Sequence, residues 1–97
     1  MFVVTYVYRV PQERVDKFLS IEQKAMGIYL KHGCLGFEVF RSGDEWCMEI
    51  DRFEGKEHYE SVMKSLDSDP EIEALWNEFC SLIGNQDVLT KEYERIL

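Results

Sequence analysis

Glu22 is the residue whose type and setting most demand a chemical explanation. At 100° per residue, Val15, Phe18, Leu19, Ala25, Met26 and Tyr29 form one apolar stripe of a helix, and Glu22 falls near its centre. A carboxylate there is costly unless it is paired or solvated. Hairpin pairing about Gly43-Asp44 places Arg41 and Arg52 on the sheet face that opposes this helix, together with Trp46 and Met48. Two readings follow. In one, Glu22 lines a pocket with Arg41, Arg52, Trp46 and Met48, where it serves as a general base or binds a polar group of an apolar ligand. In the other it closes a structural ion pair in a filled interface.

Glu38 and Glu49 form a second anomaly. The same pairing sets them opposite each other, along with Val39 opposite Met48 and Ser42 opposite Glu45. Facing acids repel, so they share a proton, hold a cation or meet a base such as Arg9, Lys91 or Arg95. His58 is the other candidate for catalysis, since histidine is the usual general acid or base. His32 fits a capping role at a helix C-terminus. Tyr6, Tyr8 and Trp76 suit either core packing or the walls of an apolar pocket. No Ser/His/Asp set, phosphate-binding glycine loop or metal-ligand helix motif stands out in the sequence.

These residues are carried by a β-α-β-β-α-β order. Phe2 to Arg9 is a continuous run of β-branched and aromatic residues, the pattern of a central strand. Pro11 opens the first helix and Gly33 closes it. A hairpin turns at Ser42-Gly43-Asp44. Its expected helix-covered face carries Leu35, Phe37, Val39, Trp46, Met48 and Ile50, and its other face Cys34, Glu38, Phe40, Cys47, Glu49, Asp51 and Phe53. After Gly55, Tyr59, Val62, Met63 and Leu66 make one helical stripe. Asp69-Pro70-Glu71 then restarts a helix, with the acid at the N-cap and proline at its first position. Ile72, Leu75, Trp76, Phe79 and Ile83 share its apolar face, so the second helical region is two helices. The run from Asp87 to Ile96 reads as a last strand.

Composition bounds the rest. A chain of 97 residues makes one domain, residues 1–97, with little interior to spare. The net charge of −8 argues against nucleic acid and anionic membranes as partners. Cys34, Cys47 and Cys80 are odd in number and lack metal or disulfide spacing. Small buried thiols, a reducing cytoplasmic setting and no bound metal are expected. No basic leader region precedes strand 1 and no apolar run approaches 18 residues, so neither secretion nor membrane spanning is expected.

With these elements in order, the chain resembles the dimeric α+β barrel superfamily, in particular its antibiotic-biosynthesis-monooxygenase-like and NIPSNAP-like members. The resemblance covers nearly the whole chain. It rests on the order of elements, on Gly36-Phe37-Glu38-Val39-Phe40-Arg41 after a helix, and on Phe53 leading to a helix, then Ser68-Asp69-Pro70 and a short amphipathic helix. It implies an α+β, ferredoxin-like protomer with a four-stranded antiparallel sheet, packed sheet to sheet in a homodimer. That superfamily includes cofactor-independent oxygenases, haem-degrading enzymes, isomerases, decarboxylases and proteins of no known activity. No haem-degrading Asn/Trp/His set can be placed here, and no cofactor is expected. Two functions stay open: a cofactor-independent monooxygenase-like or isomerase-like enzyme for a small apolar or aromatic compound, and a non-catalytic binding, stress-associated or structural module.

Overall fold

The computed structural model describes all residues from 1 to 97. Strand β1 (Phe2–Arg9) is followed by a 3-10 turn (Gln12–Arg14) and helix α1 (Val15–Lys31). The hairpin β2 (Gly36–Arg41) and β3 (Trp46–Phe53) comes next, then α2 (Lys56–Asp67), α3 (Pro70–Ile83) and β4 (Leu89–Glu94). The four strands form one antiparallel sheet in the order β2-β3-β1-β4, with the helices on one face. This is the α+β ferredoxin-like arrangement expected from the order of elements. No helix is long and apolar enough to cross a membrane.

The chain turns where its local chemistry directs. Gly33 takes a φ of 105°, open to glycine at no steric cost, and ends α1. Asp69 caps α3 by accepting the Glu71 N–H at 2.9 Å, and Pro70 occupies the first turn. The second helical region is therefore split as expected. Pro11 instead precedes the 3-10 turn, and α1 proper begins four residues later.

The hairpin register differs from expectation by one residue. Ser42 N–H bonds to the Trp46 carbonyl at 2.9 Å, so three residues make the loop, and Glu45 adopts a left-handed φ of 74°. A three-residue hairpin loop ends in such a left-handed residue. Val39 then pairs with Glu49 and Phe40 with Met48. A one-residue slip exchanges the two faces of a strand. The helix-covered face of β3 is accordingly Cys47, Glu49, Asp51 and Phe53, beside Val4, Tyr6 and Tyr8 of β1. Trp46, Met48, Ile50 and Arg52 lie on the open face with Phe40.

Two apolar clusters fill the space between helices and sheet. One joins Tyr8, Val10 and Phe37 to Phe18, Ile21 and Ala25 of α1 and to Leu75, Phe79, Leu82 and Ile83 of α3. The other packs Val62 and Leu66 of α2 on Phe2, Val4, Cys34 and Phe53. Tyr6, Ile28, Tyr29 and Ile72 touch both. The buried stripe of α1 is turned toward Ile21, which leaves Leu19 and Met26 exposed.

Candidate functional site

A cavity of about 430 Å³ lies at the seam between the two clusters. Its walls are mostly apolar and aromatic: Tyr6 and Tyr8 from β1, Tyr29 from α1, Phe37 from β2, and Trp76 and Phe79 from α3. Tyr29 and Phe37 meet edge to face with centroids 5.2 Å apart, and Trp76 stacks on Phe79 at 5.5 Å. Tyr8 is wedged edge-on between Phe18 and Phe79, which fixes its ring. Exposed Asp67, Glu73 and Trp76 belong to the same lining, so the cavity opens to solvent beside α3.

Its polar floor is formed by two members of a cluster of three buried carboxyls. Glu22 projects from α1, and Glu49 and Asp51 point up from alternate positions of β3; they are 7 %, 9 % and 0 % exposed. Glu22 and Glu49 line the cavity, and Asp51 lies outside its lining. Glu49 is within hydrogen-bonding reach of both other carboxyls, so a proton on Glu49 can be given to either. Glu22 Oε2 and both Asp51 oxygens otherwise lack partners, as does the buried Tyr8 hydroxyl.

Burial sets the electrostatics. Desolvation is the largest influence on all three acids and pushes Glu22 up to about 7 and Asp51 up to about 7. Glu49 is raised well above the usual carboxylate range, first by desolvation and then by the charges of Asp51 and Glu22. Glu49 therefore holds the first proton of the set, and its hydrogen bonds favour the ionised forms of its neighbours. The three titrate as one coupled unit. Burial also raises Tyr6, Tyr8 and Tyr29, which remain neutral donors. The three acids do not form a metal-ligating cluster.

The residues singled out in the sequence are only partly brought together. Glu22 faces the cavity, but beside Glu49 rather than an arginine. Arg41 lies on the helix side of the sheet end, where it donates to the Val10 carbonyl at 3.0 Å. Arg52, Trp46 and Met48 are on the opposite face, a consequence of the shifted register. Glu38 does not face Glu49; it sits on the open face in a 2.7 Å ion pair with Arg52. His58 lies away from the cavity: its Nδ1 accepts the Glu54 N–H at 2.9 Å and its ring packs on Phe53.

His32 does more than cap α1. Its Nδ1 lies 2.6 Å from Ser65 Oγ and its Nε2 2.9 Å from Asp69 Oδ2. A Ser/His/Asp set that the sequence did not reveal is thus assembled in space. It lies outside the cavity lining, and Asp69 is engaged with the α3 N-terminus, so the set clips α1 to the α2–α3 junction. Asp51 is the member of the carboxyl cluster that sequence reasoning missed. Its signal was the Glu49-x-Asp51 spacing, which puts both acids on one strand face.

No family model matches the sequence, and no curated protein matches it. Solved structures share the fold throughout. A structure described as antibiotic biosynthesis monooxygenase is 12% identical at a TM-score of 0.78, with 100% of both chains covered. An uncharacterized NIPSNAP domain protein from Burkholderia xenovorans is 20% identical at a TM-score of 0.72, covering 100% of this chain and 98% of that one. A conserved protein from Methanosarcina mazei Go1 is 12% identical at 0.77, covering 97% and 91%. The chain thus has the fold of the superfamily it resembles in sequence pattern.

Proposed function

We propose that this protein is a small-molecule enzyme that takes a compact apolar or aromatic compound into the cavity between α1, α3 and the sheet. Glu22 exchanges a proton with it, and two copies associate through the open sheet faces. One observation carries this reading: an aromatic-walled cavity of about 430 Å³ ends on Glu49 and on Glu22, which burial pushes up to about 7. The volume is in the range of small-molecule sites, roughly 300–1,000 Å³. A base serves best with a pKa near the working pH, and positioned acid–base catalysis supplies about 10²–10⁴-fold.

The chemistry follows from the floor. An ionised Glu22 accepts a proton from an acidic carbon or oxygen of the bound compound, and the aromatic walls keep water from competing. Glu49 steadies the resulting carboxyl within the coupled set. Return of the proton at another atom completes an isomerisation. The name antibiotic biosynthesis monooxygenase, carried by a protein of the same fold, fits the same first step. A deprotonated, electron-rich substrate is the form that reacts with dioxygen.

Deuterium exchange at the benzylic carbon of phenylacetone is the test. Exchange above the buffer rate is expected, rising through pH 7 as Glu22 ionises and lost in Glu22→Gln. Binding without faster exchange at any pH would make the protein a binding module. Absence of both would defeat the reading.

A further inference from the structure

The cavity's charge is one-sided. Its lining includes the acids Glu22, Glu49, Asp67 and Glu73 and not one lysine, arginine or histidine. The arginines expected to balance Glu22 are elsewhere, one on the Val10 carbonyl and one on the open face with Glu38. The floor is also under-satisfied, since Glu22 is 7 % exposed and its Oε2 has no partner other than the neighbouring acid Glu49. Uncompensated buried carboxyls are costly, and a native structure keeps them where something else completes them. The walls suit a cation as well, because the faces of Tyr and Trp rings attract positive charge.

We propose that the natural occupant of this cavity is an organic cation: an amine with a compact aromatic or aliphatic body, its ammonium seated on the Glu22–Glu49 pair. This rests on the small-molecule reading above and names its substrate class. The pair acts as a monoanion that shares one proton. The negative charge holds the ammonium, and Glu22 remains the proton acceptor of the transfer step. Exposed Asp67 and Glu73 at the mouth favour approach of cations and disfavour anions. A carboxylate ligand would meet acids at both ends of the cavity.

Three probes of one shape and different charge test it: 2-phenylethylamine, 2-phenylethanol and 3-phenylpropionate, titrated into the intact protein by calorimetry. The amine should bind about tenfold tighter than the alcohol, as expected of a charge-assisted contact in a desolvated site. The propionate should show no binding. Amine binding should release protons near pH 7, seen as a dependence of the heat on the buffer's ionisation enthalpy. The ratio of amine to alcohol affinity should rise between pH 5.5 and 8. The groups facing the ammonium are Glu22 and Tyr29 from α1, Tyr6 and Tyr8 from β1, and Glu49 from β3 with Asp51 next to it. Asp67 and Glu73 complete the set at the mouth. Glu22→Gln should bring amine affinity down to that of the alcohol; because wild-type protein supplies the pH series, the test survives a variant that fails to fold. Equal or tighter binding of the alcohol would overturn the charge assignment and leave the proton-transfer reading standing. Amine preference unchanged in Glu22→Gln would place the cation away from the floor and overturn the assignment. No binding of any of the three would overturn both.

Discussion

Glu22, Glu49 and Asp51 place a function and a stability cost on the same atoms. Each carboxyl binds protons more tightly in the folded chain than in the unfolded one. Protonation therefore favours folding, and stability declines as pH rises from the unfolded carboxylate pKa near 4 through the folded values of Glu22 and Asp51 near 7. For Glu22, moving from 4.5 to about 7 corresponds to about 3 kcal/mol lost across that window. Coupling means the losses at the three sites are not independent. A thermal midpoint roughly 10 °C or more lower at pH 8 than at pH 5 is expected for a domain of this size. Asp51→Asn removes one ionisation at a site that is fully buried and outside the cavity lining. It should gain about 1–3 kcal/mol at pH 8 and change little at pH 5. Melts at both pH values check this; an unaltered pH slope in Asp51→Asn would show that Asp51 does not carry the effect. Glu22 was legible in the sequence because one carboxylate interrupts an apolar helical stripe. Its partners were not, because a single strand residue decides which way Glu49 and Asp51 point.

At the scale of elements, the sequence was clearest where backbone chemistry is local. Gly33, Asp69 and Pro70 each determine a boundary through φ or a cap, without help from distant parts of the chain. The hairpin was less legible for a specific reason. The left-handed loop residue is Glu45, not the glycine or asparagine that usually marks it. The Glu45 side chain is anchored instead, with Oε2 accepting the Gln12 N–H at 3.0 Å and Oε1 beside Arg9 at 3.4 Å. Those contacts join the loop to segments far away in sequence, where no periodicity can reveal them. The His32 clip is hidden in the same way, and it has a measurable signature. Asp69 has a lowered pKa, chiefly from its hydrogen bond to His32. A depressed carboxylate contributes stability above its unfolded pKa and loses it as pH falls through the folded one. Asp69→Asn keeps an acceptor for the α3 N-terminus but loses the charge beside His32, and Asp69→Ala loses both. The expected order of thermal midpoints at pH 7 is wild type, then Asp69→Asn, then Asp69→Ala, with the gap from wild type to Asp69→Asn narrowing toward pH 3. Equal midpoints for wild type and Asp69→Ala at pH 7 would show that the clip does not stabilise the fold.

At the scale of the whole molecule, one face of the sheet is closed by helices and holds the cavity; the other is open. Phe40, Trp46, Met48, Leu89 and Tyr93 are exposed there, around half-buried Val3, Val7 and Ile50. Soluble monomers rarely expose so many large apolar side chains on one sheet face, which Thr5 and Lys91 share. The ion pairs Arg9–Glu45 and Arg52–Glu38 stand on or beside the same face and give it polar margins. A second copy applied by a two-fold axis would bury each patch on its twin. The net charge of −8 per chain opposes that approach. The proposed homodimer should therefore tighten as salt rises from about 0.01 to 0.15 M and the Debye length contracts from about 30 to about 8 Å. Phe40→Asp puts a like charge on both sides of the contact without touching the cavity lining. It should yield a monomer by light scattering at micromolar concentration, with unchanged far-ultraviolet circular dichroism and unchanged probe binding in the cavity. A wild-type chain that scatters as a monomer at every salt concentration would rule out sheet-to-sheet association, and the apolar open face would then need another partner.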